Sequence, residues 1–234
     1  MIMDAYSYVN IFSTKGIEYL IVISFFIVVI PFWRMLKETE MPILSMAKVR
    51  VPRGVYFDAT HTWAFLETAG KIRVGIDDFM ANITGPLDVK HLKKPGDHVA
   101  RGEAISYLET EGKRLQVYSP LSGTISRMNR GTARKFSKTT NSTFTNNWLL
   151  KITPDHWEQD QRFMIMGEQA KAWISKEFAR LRDFMAFTNH KYSSDMQPVL
   201  LQEGGVIENQ LLETLSPEIW MEFQVEFIDA VKVN

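Results

Sequence analysis

The segment LETEGKRLQVYSPLSG, residues 108–123, decides the fold because it predicts two short strands joined by a tight polar turn. Apolar and polar residues alternate along both arms, as they do in strands with one buried face. A Pro-Leu-Ser-Gly corner closes the second arm. The sequence therefore predicts a hairpin with Gly112 at its tip.

The chain on both sides of this hairpin continues the same pattern from Val55 to Ile152. Short alternating runs, among them WAFLE, KIRVGI, AISYLE and TISRM, are separated by turn signals such as Pro95-Gly96-Asp97. The stretch DDFMANIT, residues 77–84, predicts a short helix. This spacing favours a compact β-sandwich or barrel of about 100 residues.

After Pro154 the pattern becomes helical. Residues 167–189 place mostly apolar side chains on one helical face, which covers the β domain or, as the alternative, binds a partner helix. The residues of this face are Ala170, Ile174, Phe178, Leu181, Phe184, Met185 and Thr188. Ser216 followed by Pro217 predicts the start of a last helix that continues to about Asp229.

Residues 19–33 form an uncharged apolar run, YLIVISFFIVVIPFW, near the start of the chain. With its flanks this run predicts a transmembrane helix at about 17–36, the alternative being a buried core helix. Lys15 is the only cation before the run, whereas the following residues include Arg34, Lys37, Lys48, Arg50 and Arg53. The positive-inside rule then predicts a single-pass membrane protein with its C-terminal body in the cytoplasm.

Composition argues against several classes of function. The 234 residues have a formal net charge of zero, so no nucleic-acid role is expected. The chain has no cysteine, which excludes disulfides, thiolate metal sites and cysteine nucleophiles within it. The five histidines lack metal-ligand spacing, and no phosphate-binding glycine loop or nucleophile elbow occurs. We therefore expect no metal, no small-molecule substrate and no enzymatic activity.

Five segments, in order, resemble the glycine cleavage system H protein, a lipoyl-carrying member of the biotinyl/lipoyl fold. They are VPRGVYFDATHTWAFLE, with the His61-x-Trp63 pair, then KIRVGIDDFMANITGPLDVKHL, KPGDHVARGEAISYLET, VYSPLSGTISRMN and NNWLLKITPDHWEQ. The resemblance implies a mainly β barrel-sandwich hybrid of two facing small sheets. We accordingly expect an N-terminal segment at 1–36, a linker at 37–53, the H-protein-like β domain at 54–160 and a helical extension at 161–234.

The resemblance also implies a lipoyl lysine three residues after the glutamate that opens the hairpin. Counting from Glu109, and backward from Pro120, places Gly112 at that position, with Lys113 one residue further on. A shift of one residue turns a strand side chain to the other face. We therefore expect no cofactor, and predict a non-lipoylated, non-catalytic accessory or scaffold subunit of a membrane protein complex, with redox or respiratory complexes as one candidate. The alternative is a membrane-tethered carrier with lipoate on Lys113.

Charge is unevenly distributed along the second half of the chain. Residues 112–154 contain eight cations and no acid, whereas residues 192–231 contain eight acids and no Lys or Arg. The basic stretch is a candidate docking surface for another protein subunit or for anionic lipid headgroups. Its candidate residues are Arg114, Arg127, Arg130, Arg134, Lys135 and Lys138. The alternatives are a clamp by the protein's own acidic segment and a solvated surface.

Overall fold

The computed structural model describes residues 11–38, 43–44, 51–85, 87–129, 144, 148–192, 207–208 and 210–230. The chain divides into two compact units, Met1–Pro42 and Ile43–Asn234. Helix α1, Ile11–Glu38, is the described part of the first unit.

The predicted transmembrane helix at 17–36 is not supported. Over the described residues, no helix combines the length and the apolar character that a bilayer crossing requires. The uncharged run at 19–33 has 15 residues, whereas a hydrocarbon core needs about 20. Most of the large apolar side chains between Tyr19 and Trp33 are nevertheless exposed, by 50% to 68%.

The second unit begins with short strands in the places where alternation predicts them. Its strands are β1 Ile43–Leu44, β2 Val55–Phe57, β3 Thr62–Leu66, β4 Ile72–Ile76, β5 Asp88–His91, β6 His98–Val99, β7 Ala104–Thr110, β8 Lys113–Tyr118, β9 Gly123–Met128, β10 Trp148–Pro154 and β11 Ile207–Glu208. Six of them form a sheet in the order β2-β3-β4-β10-β9-β6, and three form a second sheet in the order β5-β7-β8. The remaining two, β1 and β11, pair with each other.

The two larger sheets enclose one hydrophobic core between their inner faces. Val74 and Ile152 of the six-stranded sheet and Leu108 and Leu115 of the three-stranded sheet are fully buried members of the same cluster. Apolar burial on this scale is the main stabilising contribution in a domain of this size. The predicted mainly β architecture with two facing sheets is therefore confirmed.

The helices of the second unit close the open sides of the sheets. They are α2 Asp78–Thr84, α3 Trp157–Asp160, α4 Gly167–Tyr192 and α5 Pro217–Phe223, together with 3-10 turns at Gln161–Phe163 and Leu211–Thr214 and a π-helix at Gln224–Asp229. Asp77 caps α2 by accepting a hydrogen bond from the Met80 amide at 2.9 Å. Every residue of the predicted apolar face of α4 is buried, so this helix covers the β domain as expected.

Residues 210–230, which we call the C-terminal strap, pack into the same core. The strap begins beside α2, where the Gln210 amide donates to the Asn82 carbonyl at 2.7 Å. It then follows the outer edge of β8, where the Gln224 side chain accepts from the Gln116 amide at 2.8 Å. Its buried apolar residues are Leu211, Leu212, Leu215, Ile219, Trp220, Phe223, Phe227 and Ile228. The strap is thus a structural part of the domain, and it shields the backbone of an edge strand.

Candidate functional site

The tip of the β7–β8 hairpin is a two-residue loop. Thr110 pairs with Lys113, and Glu111 and Gly112 connect them with φ values of 45° and 81°. Two successive residues with positive φ are typical of the tight turns that match the twist of a hairpin. A Cβ atom at Gly112 would meet no atom within 4 Å. The tip position therefore faces open space and carries no side chain.

Lys113 points away from that open space. It is the first residue of β8, on the same inward-facing side as Leu115, and only 8% of it is exposed. Its Nζ atom donates to the carbonyl oxygens of Glu213 at 2.6 Å and Leu215 at 3.2 Å, both in the C-terminal strap. The same ammonium group lies 5.6 Å from the centre of the Trp220 ring. Lys113 therefore fastens the strap to the hairpin.

The two residues that the resemblance places at or beside the lipoyl position differ in their surroundings. Gly112 has the exposed position but no amine, and Lys113 has the amine but not the exposure. An amine attacks an acyl donor only when it is deprotonated and accessible to the enzyme that delivers the acyl group. The two carbonyl contacts hold the Lys113 amine inside the fold.

The structure separates the two candidate docking arginines that it describes. Arg114 is exposed on the outer face of the three-stranded sheet, where its Nε and Nη2 atoms donate to Glu109 Oε1 at 3.1 and 2.9 Å. Arg127 is exposed on the outer face of the six-stranded sheet, opposite Lys151 of β10. Because the two sheets face each other across the core, Arg114 and Arg127 lie on opposite sides of the domain. The other candidates, Arg130, Arg134, Lys135 and Lys138, lie outside the described residues.

A second cluster of charged groups surrounds His61, which is 1% exposed. Its ring stacks on Phe79 with a centroid distance of 4.6 Å and lies 5.0 Å from the Trp173 ring. His61 Nδ1 lies 2.9 Å from Asp77 Oδ2, and Nε2 lies 3.6 Å from Glu177 Oε2. Burial alone would lower the pKa of His61, but the two carboxylates outweigh it and raise the pKa to about 9. His61 is therefore a buried cation between two anions.

Glu177 extends this cluster to the C-terminal strap. Arg180 donates to both Glu177 oxygens at 2.7 and 2.8 Å and to the Glu226 carbonyl at 3.0 Å. Burial acts to raise the pKa of Glu177, but His61 and Arg180 lower it below its usual value. Sequence reasoning missed this role, although a signal was present. Glu177 falls on the apolar face of α4, three residues after Ile174, and a carboxylate there indicates a buried partner.

Comparison with known proteins identifies relatives for the β domain. A family model described as glycine cleavage H-protein matches residues 55–177, which is more than half of the chain. The glycine cleavage system H protein of Methylococcus capsulatus is 35% identical over 112 residues, which cover 47% of this chain and 87% of that protein. The probable glycine cleavage system H protein of Thermococcus kodakarensis is 26% identical over 130 residues, which cover 56% of this chain and 96% of that protein.

A solved structure also matches part of the chain. It is the glycine cleavage system H protein from Mycobacterium marinum, with 24% sequence identity, a TM-score of 0.39, and coverage of 45% of this chain and 87% of that chain. The C-terminal strap lies after the last residue matched by the family model. The partners of the Lys113 amine therefore come from a part of the chain that the family model does not include.

Proposed function

The chain belongs to the glycine cleavage H-protein family, and we propose that it serves there as a non-lipoylated, non-catalytic accessory subunit of a protein complex. The family comprises lipoyl carriers that work with other proteins. In this proposal the chain keeps the protein-binding domain of the family without its carrier chemistry. Family membership supports the fold of the domain. The glycine at position 112 and the buried amine of Lys113 at the hairpin tip support a function other than that of a carrier.

One observation carries the proposal: the amine nearest the carrier position, that of Lys113, donates to two carbonyls of the C-terminal strap. Freeing that amine would require the strap to leave β8, which would expose Leu215, Trp220 and other apolar side chains that are now buried. Each such side chain contributes about 1.5–3 kcal/mol when fully buried. Modification of Lys113 would therefore require an energetically unfavourable release of the strap, whereas a structural role for Lys113 needs no rearrangement.

Intact-mass measurement tests the proposal. The protein is purified from its native host, and also after co-expression with a lipoate–protein ligase in the presence of lipoate. We expect the unmodified mass in both preparations. Wild-type protein that gains the mass of one lipoyl group, with loss of that gain in Lys113→Met, would refute the proposal and establish the carrier function on Lys113.

A matched gain-of-function variant checks that the test can detect a carrier. Gly112→Lys places an amine at the tip, where a Cβ atom meets nothing within 4 Å. Because the turn requires a positive φ there, we expect this variant to be slightly less stable than wild type, by about 1 kcal/mol. We expect it to accept the lipoyl group that wild type refuses.

We further propose that this subunit acts at a membrane, with its C-terminal body in the cytoplasm. The exposed apolar side chains of α1 support association of that helix with a membrane. The excess of cations after residue 33 supports attraction to anionic lipid headgroups, which give the cytoplasmic leaflet its negative surface potential. Redox or respiratory complexes are one class of assembly to examine, and co-purification in mild detergent would identify the partner.

A further inference from the structure

Four side chains form a row across the outer face of the six-stranded sheet. In register across β3, β4, β10 and β9, Phe65 pairs with Arg73, Arg73 with Lys151, and Lys151 with Arg127. Directly paired residues on one face of an antiparallel sheet have neighbouring side chains. Three of the four carry a positive charge, so this face has a basic row that crosses four strands.

An aromatic ring lies beside the basic end of the row. The Trp148 ring centre is 5.9 Å from the Arg127 guanidinium carbon and 5.2 Å from Lys151 Nζ. Arg73 lies 4.9 Å from the Phe65 ring centre at the other end. Cations held over aromatic faces at these distances are attracted to the ring and keep their charge available. The row therefore combines positive charge with flat apolar area.

The Glu67 carboxylate contacts two of these cations, Lys151 and Arg73. Glu67 accepts from Lys151 Nζ at 2.8 and 2.9 Å, and its Oε1 lies 3.0 Å from Arg73 Nε. These three side chains are only 18% to 22% exposed, so their positions are fixed, whereas Arg127 is exposed. We call Phe65, Glu67, Arg73, Arg127, Trp148 and Lys151 the Trp148 platform; it has three cations and one anion.

Two further contacts lie on this side of the sheet. The Asn129 side chain donates to the Trp148 carbonyl at 2.8 Å, and the Phe144 ring lies 5.4 Å from that of Trp63.

Two acids of the C-terminal strap have partners elsewhere. Glu222 contacts Lys191 and accepts from the Tyr192 hydroxyl, and Asp229 accepts from the Tyr118 hydroxyl at 2.6 Å. These contacts hold the Glu222 and Asp229 carboxylates away from the platform.

We propose that the Trp148 platform docks an acidic segment of a partner protein. This inference rests on the proposed function as a binding subunit and names the surface that binds. The excess positive charge complements Asp and Glu side chains. The rings of Trp148 and Phe65 are partly buried against a cluster of apolar side chains, and their exposed parts add apolar contact area. Arg114 on the opposite sheet also lies over an aromatic ring, that of Tyr107 at 5.0 Å, but its own guanidinium is paired with the adjacent Glu109, whereas Arg127 is the exposed cation of the platform.

The opposite placement of two exposed strand arginines provides a matched pair of variants. Affinity for a fluorescein-labelled poly-glutamate peptide is measured by anisotropy for the full-length protein, for Arg127→Glu and for Arg114→Glu. Phosphatidylserine vesicles are the second probe. We expect wild type to bind the peptide, Arg127→Glu to bind roughly tenfold more weakly, and Arg114→Glu to stay within about twofold of wild type. Unchanged thermal unfolding of both variants shows that folding is not the cause.

Several outcomes would overturn the inference. They are no peptide binding by wild type, equal weakening by both variants, or weakening by Arg114→Glu alone. Vesicle binding that Arg127→Glu weakens and Arg114→Glu does not, with no binding of the peptide, would assign the platform to lipid headgroups instead. Lower thermal stability of Arg127→Glu with unchanged peptide affinity would assign it to an internal clamp. A lipoyl group on wild-type protein would refute the proposed function without changing these affinities, so the two failures are distinguishable.

Discussion

At the scale of single residues, the Lys113 amine stabilises the fold through its hydrogen bonds to the C-terminal strap. Lys113→Met removes the donor that the carbonyls of Glu213 and Leu215 now share. A buried acceptor without its partner costs about 1–3 kcal/mol, so we expect the free energy of unfolding in urea to fall by that amount. Arg114→Met is the adjacent control on the exposed face, where solvent screens the pair of Arg114 with Glu109, so we expect a smaller loss of stability. Equal losses in both variants would contradict a structural role for the Lys113 amine.

His61 predicts a pH dependence of stability. Its pKa is about 9 in the folded protein and 6.5 in the ordinary state. A raised folded pKa means that the charged ring stabilises the fold fully below pH 6.5 and that this contribution is lost as pH rises through 9. We expect the free energy of unfolding to decline across that range, on the order of 3 kcal/mol from this group.

The control for this decline is His61→Asn. His61 has a φ of 59°, and asparagine tolerates positive φ better than most side chains. The variant therefore removes the titrating ring with little added backbone strain. We expect it to be less stable than wild type at pH 6.5 and to show a flatter dependence up to pH 9.5 in urea denaturation. A slope as steep as that of wild type would assign the pH dependence to other groups.

At the scale of elements, docking of the C-terminal strap against α2 can be tested at a glycine. A Cβ atom at Gly85 would lie 2.7 Å from Glu213 Oε2 and 3.2 Å from Gln210 Cγ. Gly70 has nearly the same φ, 72° against 73°, but a Cβ atom there would meet nothing within 4 Å. Both Gly→Ala variants carry the backbone cost of positive φ, about 1 kcal/mol. We expect Gly85→Ala to lose more stability than Gly70→Ala, measured as a larger fall in the urea midpoint of unfolding. Equal falls would show that the C-terminal strap can shift to accommodate the added methyl group at little energetic cost.

The elements that follow from local pattern were predicted, and those that depend on distant contacts were not. Strands such as β7 and β8 alternate with period two, and the same period explains why Lys113 lies inward when Gly112 is at the tip. The strap docks through Lys113 and Glu213, which are 100 residues apart, and no periodicity reports such a contact. The basic stretch is continuous in sequence, but β8 carries Arg114 and β9 carries Arg127, and these strands belong to different sheets. The two arginines are therefore far apart in the fold.

At the scale of the whole molecule, the two compact units have different surfaces. The buried apolar residues of the core all lie between Val55 and Ile228, within the second unit. In the first unit the described apolar side chains of α1, such as Ile23 and Ile27, are exposed by 54% and 66%. Exposure of so much apolar surface to water is unfavourable, and such surfaces are typical of helices that contact a membrane or another protein.

This contrast predicts the result of deleting residues 1–42, which leaves β1 free to pair with β11. We expect the shortened protein to unfold cooperatively with the same urea midpoint as the full chain, because the core is intact. After cell fractionation, the full chain should sediment with membranes and the shortened one should remain in the supernatant. The full chain with Ile23→Asp and Ile27→Asp is the matched control, since charge at these exposed positions disfavours contact with lipid, and it should follow the shortened protein. A shortened protein that still sediments would assign attachment to the second unit, and one that fails to fold would place α1 in the core.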